Sequence, residues 1–349
     1  VASRGLGDVY KRQTEDRTQS ASLFIGDGVK QLISPLPRLK YFEGMKMMND
    51  MMKMNGDLDD MGMKMSLNQM DMNVVMYPEI TGDATKKADH SKHEGMDMDN
   101  DANRYNANAL GDIKTLNYAM LQSPYNTSLP NDAPVKELKF TLTGNMNRYV
   151  WSMDNKILSE TDKIPVKKGE ILRITIYNNS MMRHPMHLHG FDFRVINGKG
   201  EKSPLKNVLD IMPMETDTIE FLANEEGDWF FHCHILYHMM AGMNRVFEVG
   251  DYKNPYLPDK AKAYKELQRE SNMPHFMIEN DFATNGNDGG AMLQNARWSL
   301  GTEWRLGYNS MHGYEVETHL GRYIGKMQWF MPFVGFDYRY RKMLSLIHI

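Results

Sequence analysis

Trp229-Phe230-Phe231-His232-Cys233-His234-Ile235-Leu236-Tyr237-His238-Met239-Met240-Ala241-Gly242-Met243 holds the one cysteine of a 349-residue chain. Histidines flank that cysteine on both sides, a third follows five residues later and a methionine ten later. A thiolate, two imidazoles and a distant thioether are the ligand set of a blue-copper electron-transfer site, methionine being the weak axial ligand. A lone cysteine is more often a small buried hydrophobe. The chain upstream argues against that here. His184-Pro185-Met186-His187-Leu188-His189-Gly190 adds three histidines, so six of the twelve lie in two short clusters.

Successive side chains of a strand point to opposite faces. On a strand through Trp229–His234, His232 and His234 share one face and Cys233 takes the other. His187 and His189 likewise share a face, and His184 can point elsewhere. The spacing therefore separates two centres. Cys233, His184, His238 and Met243 can build a mononuclear site, while His187, His189, His232 and His234 face a second metal cluster. The covalent links from Cys233 to His232 and His234 are then the electron path between the centres. Gly190 and Gly242 sit where the chain must turn tightly beside ligands.

The pair HPMHLHG and HCHILYHMMAGM resembles the last cupredoxin domain of a multicopper oxidase of the copper-resistance type, over about residues 112–250. Position by position, the resemblance implies type 1 copper on His184, Cys233, His238 and Met243. It implies type 2 copper on His187, and type 3 copper on His189, His232 and His234. The activity implied is one-electron oxidation of a substrate, Cu(I) or a small organic reductant, coupled to reduction of O2 to water at a trinuclear cluster. The implied location is periplasmic. Such a cluster also needs two His-x-His pairs from N-terminal cupredoxin domains, and this sequence lacks them. Two other readings share the motifs: a non-catalytic copper-storage protein and a laccase-like phenol oxidase.

The rest of the chain falls into unlike segments. Residues 45–98 contain 14 of the 32 methionines, among them Met45, Met47, Met48, Met51, Met52, Met54, Met61, Met63 and Met65. Gly, Asn and Asp separate them without helical or strand periodicity, so residues 45–111 read as a flexible Met-rich segment and linker. Thioethers select Cu(I), which makes the segment a candidate for substrate capture. Met181, Met182, Met239 and Met240, beside the mononuclear ligands, are candidates for the same ion. Asp89–Met98 adds His90 and His93. Residues 14–44 resemble the tail of a preceding cupredoxin domain.

From Lys136, apolar and polar residues alternate in short runs, as in Leu138/Phe140/Leu142, Leu172/Ile174/Ile176 and Phe191/Phe193/Val195. Turn residues separate the runs. The expected fold is all-β, a Greek-key sandwich. Residues 251–290 read as a linker with a short helix near Asp259–Glu270. In residues 291–343, Trp298, Leu300, Trp304, Leu306 and Tyr308 alternate with small and charged residues, a weak outer-membrane strand signature. That part resembles the end of the copper-resistance protein B family and implies an outer-membrane association. The opening ASRGLGDVYKRQ and the closing LSLIHI resemble translated adapter sequence, so 1–13 and 344–349 are expected to be artefact.

Net charge of -4 and pI near 6.3 point away from nucleic acid as a partner. One cysteine excludes a disulfide framework. Val1–Ser20 has no apolar leader run, and no stretch of 18 apolar residues suggests a membrane helix.

Overall fold

The computed structural model describes residues 8–13, 20–25, 42, 66–69, 116–145, 148, 150–308, 313–325, 328–341 and 344–348. The Met-rich stretch from Met45 to Met65, together with His90 and His93, lies outside the described residues. The chain divides into two units at residue 120. In the first, β1 (Asp8–Gln13) pairs antiparallel with β2 (Ser20–Ile25).

The second unit contains a β-sandwich. Its strands are β3 (Val135–Asn145), β4 (Val150–Met153), β5 (Ile164–Val166), β6 (Ile171–Asn178), β7 (His184–Leu188), β8 (Phe193–Val195), β9 (Leu205–Lys206), β10 (Val208–Ile211), β11 (Thr216–Leu222), β12 (Gly227–Cys233) and β13 (Asn244–Val249). One sheet runs β10-β7-β12-β13-β5 and the other β4-β3-β6-β11-β8-β9. Neighbours in sequence repeatedly lie in opposite sheets, and the β3–β6 and β13–β5 pairs are parallel. This is the cupredoxin sandwich that the alternation and the resemblance imply.

The core is the set of inward positions that the period-2 pattern selects. Leu172, Ile174 and Ile176 of β6 are wholly buried, and Phe221 of β11, Phe231 of β12 and Phe247 of β13 are buried with them. Phe231 reaches across the sandwich to Phe140 of β3 at 6.0 Å between ring centroids, and lies 5.7 Å from Phe247. Each such side chain contributes about 1.5–3 kcal/mol by leaving water. A short helix, α1 (Leu236–Met240), connects β12 to β13. Arg245, on β13, is buried. Its guanidinium donates to the carbonyl oxygens of Asn244, Met153 and Lys156, tying the turn after β4 to the strand that follows Met243.

After the sandwich, Asp259 caps α2 (Lys260–Glu270) by accepting from the Lys262 amide. Then comes a six-stranded antiparallel meander: β14 (His275–Phe282), β15 (Gly286–Gln294), β16 (Trp298–Gly307), β17 (Tyr314–Arg322), β18 (Phe333–Arg341) and β19 (Leu344–His348), paired in chain order. One sequence expectation changes here. Residues 251–290 are not only linker and helix, because β14 and the first half of β15 fall inside them. Their Gly-rich and acidic text, HFMIENDF and GNDGGAMLQ, hides the alternation. Residues 8–13 and 344–348, within the stretches that resemble adapter sequence, pair as β1 and β19, which does not bear on their origin.

The meander has two unlike faces. Cross-strand rows Phe276/Leu293/Leu300/Leu320/Val334 and Phe282/Asn287/Leu306/Tyr314/Tyr340 lie on one face. Rows Glu279/Gly290/Glu303/Glu317/Asp337 and Asp281/Asp288/Arg305/Glu315/Arg339 lie on the other. The apolar face is open: Phe276, Ile278, Phe282 and Val334 are all more than half exposed. The meander meets the sandwich at the 148–160 turn. Val150, Ile157 and Ala296 form a small buried cluster, and Arg297 pairs with Glu160. Arg148 donates to the Ala296 carbonyl and lies over the Tyr323 ring.

Replacing Phe231 by Ala removes the ring that joins the two sheets. The expected loss is about 3–5 kcal/mol, read as a lowered urea midpoint. A change under about 1 kcal/mol would contradict this account of the core.

Candidate metal centre

β7 and β12 are adjacent and antiparallel, with His187 opposite His232 and Met186 opposite Cys233. Alternation then sorts the donors. His184, Met186 and Leu188 of β7 are buried toward the sandwich core, as are Phe231 and Cys233 of β12. His187 and His189 lie on the other face with His232 and His234. Two separate donor groups follow, one on each side of the same pair of strands.

In the inner group, Cys233 Sγ lies 3.6 Å from His184 Nδ1 and 3.5 Å from His238 Nδ1, and the two Nδ1 atoms are 3.0 Å apart. All three residues are buried. His238 comes from α1, the one helical turn between β12 and β13. Met243 begins the return path. Its amide donates to the His238 carbonyl, its carbonyl accepts from the Cys233 amide, and it is wholly buried. Gly242, at φ +112°, makes that return possible. A Cβ there would stand 2.4 Å from Ile157. Gly190 closes the other cluster at φ +78°, where a Cβ would stand 2.2 Å from the Trp229 ring.

The outer group brings His187, His189 and His232 within ligand distance of one another. His234 stands beside them, its ring centroid 5.5 Å from that of His187 and 5.7 Å from that of His232. Carbonyl oxygens only accept. His187 Nδ1 therefore donates to the Asn207 carbonyl at 2.7 Å, and His232 Nδ1 donates to its neighbour Cys233's carbonyl at 2.9 Å. Each ring thus has its Nδ1 engaged and its Nε2 free to serve as a donor atom toward a metal. His189 Nε2 is 3.0 Å from His232 Nε2 and donates to it.

Burial sets the protonation of these groups. It pushes His184 down to about 3, with the charge of His238 adding to the effect, and His238 down to about 4. His232 is pushed down to about 4, chiefly by burial, against the hydrogen bond to Cys233. His189 is lowered by burial and then by His187 and His234. Burial raises the Cys233 thiol to about 12, Asp210 adding to it. Neutral imidazoles are the ligand form, and a thiol this reluctant to ionise yields its proton only to a cation placed beside it. Soft sulfur with imidazoles at these separations fits copper, or zinc, better than a hard cation.

Sequence reading named each of these donors but missed Trp151 of β4. Its ring stacks on His238 at 3.9 Å between centroids and meets His184 edge-on at 5.4 Å. Gly144, opposite it on β3, leaves room for the indole, since a Cβ there would fall 1.9 Å from the ring. No local pattern announces a contact between residues so far apart in the chain. Of the candidate substrate methionines, Met181 and Met240 are 45% exposed, and Met182 and Met239 are half-buried.

The depressed histidines fix the acid limit of the metal-free fold. His184, His232 and His238 protonate in the folded chain only near 3–4, against 6.5 for an unperturbed histidine. Between those values the unfolded chain binds protons that the folded chain refuses. Their contribution is therefore complete above 6.5 and lost as pH falls. The urea midpoint of the metal-free chain is expected to drop between about pH 7 and about pH 5, and to drop less when the three histidines are replaced by Gln.

Residues 132–253 match the family model described as multicopper oxidase. Over 136 residues the chain is 35% identical to the copper resistance protein A homolog of Pseudomonas syringae pv. tomato, covering 39% of this chain and 23% of that protein. Copper resistance protein A of Escherichia coli is also 35% identical over 136 residues, covering 39% and 22%. The multicopper oxidase MmcO of Mycobacterium tuberculosis is 32% identical over 124 residues, covering 36% and 25%. The chain thus spans a quarter or less of the length of these relatives. Its sandwich, residues 132–253, matches the multicopper oxidase family model and is similar to the copper resistance A proteins over that part.

Proposed function

We propose that the chain is the C-terminal part of a periplasmic copper-resistance oxidase that oxidises a reductant one electron at a time and reduces O2 to water. The observation that carries the reading is the back-to-back placement of two donor groups on β7 and β12, with Cys233 bonded through the backbone to a histidine of the second group on either side. Cys233, His184, His238 and Met243 would hold a type 1 copper; His187 would hold a type 2 copper, and His189, His232 and His234 would serve type 3 copper. Bound there, copper supplies one-electron exchange at the inner group and the reduction of O2 at the outer group. The protein's own part is to fix ligands in the neutral form, keep water from the inner pocket and offer a bonded route between groups. The outer histidines are one half of a cluster, whose other half must come from the N-terminal cupredoxin domains of the full-length protein.

The reductant favoured by the surface is Cu(I). His238 is only 2% exposed, so a donor meets it through its neighbours. Met240, two residues after His238, and Met181, three before His184, are exposed, and Met182 and Met239 are half-buried. The Met-rich residues 45–98 would deliver the ion. Leu236 and Tyr237, both well exposed, give a phenolic reductant somewhere to rest, and this is the feature that favours a laccase-like substrate instead.

The meander carries a separate proposal, an outer-membrane association. Its apolar rows span the strands on one face, with Trp298 toward one end and Tyr314 and Tyr340 toward the other. The opposite face is charged. Lipid-facing barrel walls have this division, and about eight strands are the fewest that close. Six strands would need others beside them.

Loading the whole chain with Cu(II) should give an intense thiolate-to-copper visible band and a narrow-hyperfine EPR signal, both lost in Cys233→Ser. Deleting residues 45–98 should leave the band intact while lowering the copper stoichiometry. Copper bound only through 45–98, with no such band, would leave a storage protein in place of an oxidase. For the meander, the chain should float with phospholipid vesicles, and Leu300→Arg should weaken flotation by about 2–4 kcal/mol of partitioning. A chain that stays monodisperse in detergent-free buffer and ignores vesicles would sink the membrane proposal.

A further inference from the structure

His184 has a partner on the side away from Cys233. Its Nε2 lies 2.6 Å from the hydroxyl of Ser180. The reading of this pair turns on the next group out, Asn178, the last residue of β6 and wholly buried. Asn178 Nδ2 gives both of its hydrogens to carbonyls, Met182 at 2.8 Å and Ile211 at 3.0 Å. Carbonyls cannot donate, so the amide cannot be turned over, and Asn178 Oδ1 is the acceptor. It takes the Ser180 amide at 3.1 Å and the Ser180 hydroxyl at 2.9 Å. The backbone of Asn178 is pinned as well, its amide donating to Glu215 and its carbonyl accepting from Met214.

A hydroxyl that spends its one hydrogen on Asn178 can only accept from His184. A neutral imidazole has one N–H, and this network draws it to Nε2, leaving Nδ1 as a bare lone pair aimed at Cys233 and His238. The second acceptor in reach of the Ser180 hydroxyl, the Met182 carbonyl at 3.2 Å, gives the same result. From this geometry we infer that Asn178 and Ser180 are positioning residues that lock His184 in the Nε2–H tautomer, so that its Nδ1 is a ready ligand before any metal arrives.

His238 is set differently. Its Nδ1 is 3.0 Å from that lone pair, so in the metal-free protein it carries the hydrogen and donates to His184. The two imidazoles of the inner group are thus unlike: one is a standing acceptor, the other gives up a proton when a cation enters. The metal-free half of this inference stands on hydrogen bonds alone. Its bearing on copper rests on the function proposed above.

The test is long-range 1H–15N correlation on the full, metal-free chain with labelled histidines, the His184 signals being identified by their loss in His184→Gln. An Nε2–H pattern for His184, with an Nδ1–H pattern for His238, is expected. Ser180→Ala should release His184 into a mixture of tautomers, and Ser180→Thr, which keeps the hydroxyl, should restore the single form. Cu(II) affinity, by competition with a chelator, should fall about 10–100-fold in Ser180→Ala and recover in Ser180→Thr. An Nδ1–H or mixed His184 in the native chain overturns the inference, as does a Ser180→Ala spectrum identical to native. A locked tautomer in a chain that shows no thiolate–copper band would keep the relay and overturn the oxidase reading alone.

Discussion

The strict two-residue period of the strand is the constraint on which this protein depends. Cys233 cannot face the same way as His232 or His234, and on the adjacent strand His184 cannot face the same way as His187 or His189. Two strands locked in one register, His187 opposite His232, therefore make two donor groups with a single layer of backbone between them. A slip of one residue would turn every ligand to the wrong side. Register is held by the apolar partners of the same strands. Met186, Leu188 and Phe231 fill the core only in this pairing.

Burial then does two jobs at the inner group that pull in opposite directions. It strips the imidazoles of their protons, which readies them, and it holds the thiol protonated, which blocks it. A cation bound there would oppose the burial penalty, because it favours the thiolate. The pocket is thus built to be incomplete without a positive charge. Trp151 excludes water from one side by lying on His238, and Gly144 exists in the sequence as the space that lets it do so.

How much of this is legible in the sequence depends on range. The cupredoxin strands declare themselves because alternation is local, and the ligands do so because rare residue types stand at strand and turn spacing. Gly190 and Gly242 are readable for the same reason. What sequence reading misses is made by distant partners. Trp151 meets His238 from another sheet, and nothing within a window around either residue marks the contact. The Asn178–Ser180–His184 chain is close in sequence, yet its direction rests on the carbonyl of Ile211, 33 residues away. The strands β14 and β15 escape for a different reason. Gly286, Gly289 and Gly290 leave β15 without side chains to read, acidic residues interrupt the alternation of β14, and pairing of β15 with β16 and of β14 with β15 makes them strand.

The meander poses a problem of exposed surface, not of chemistry. Its charged face has partners within the sheet: Arg339 pairs with Glu315, Glu317 and Asp337, one cation among three carboxylates. Its other face has no such solution, since Leu300, Leu320, Val334 and Phe336 stand in contiguous rows across neighbouring strands and water is a poor neighbour for all of them. A soluble sheet would reverse the arrangement, turning its apolar rows inward against the sandwich. Among the described residues the sandwich instead meets the small Val150, Ile157 and Ala296 cluster, the arginines around it and Gln328, which donates to the Asn155 carbonyl. In the proposed outer-membrane association this is the face that would meet lipid, with the charged rows turned away from it.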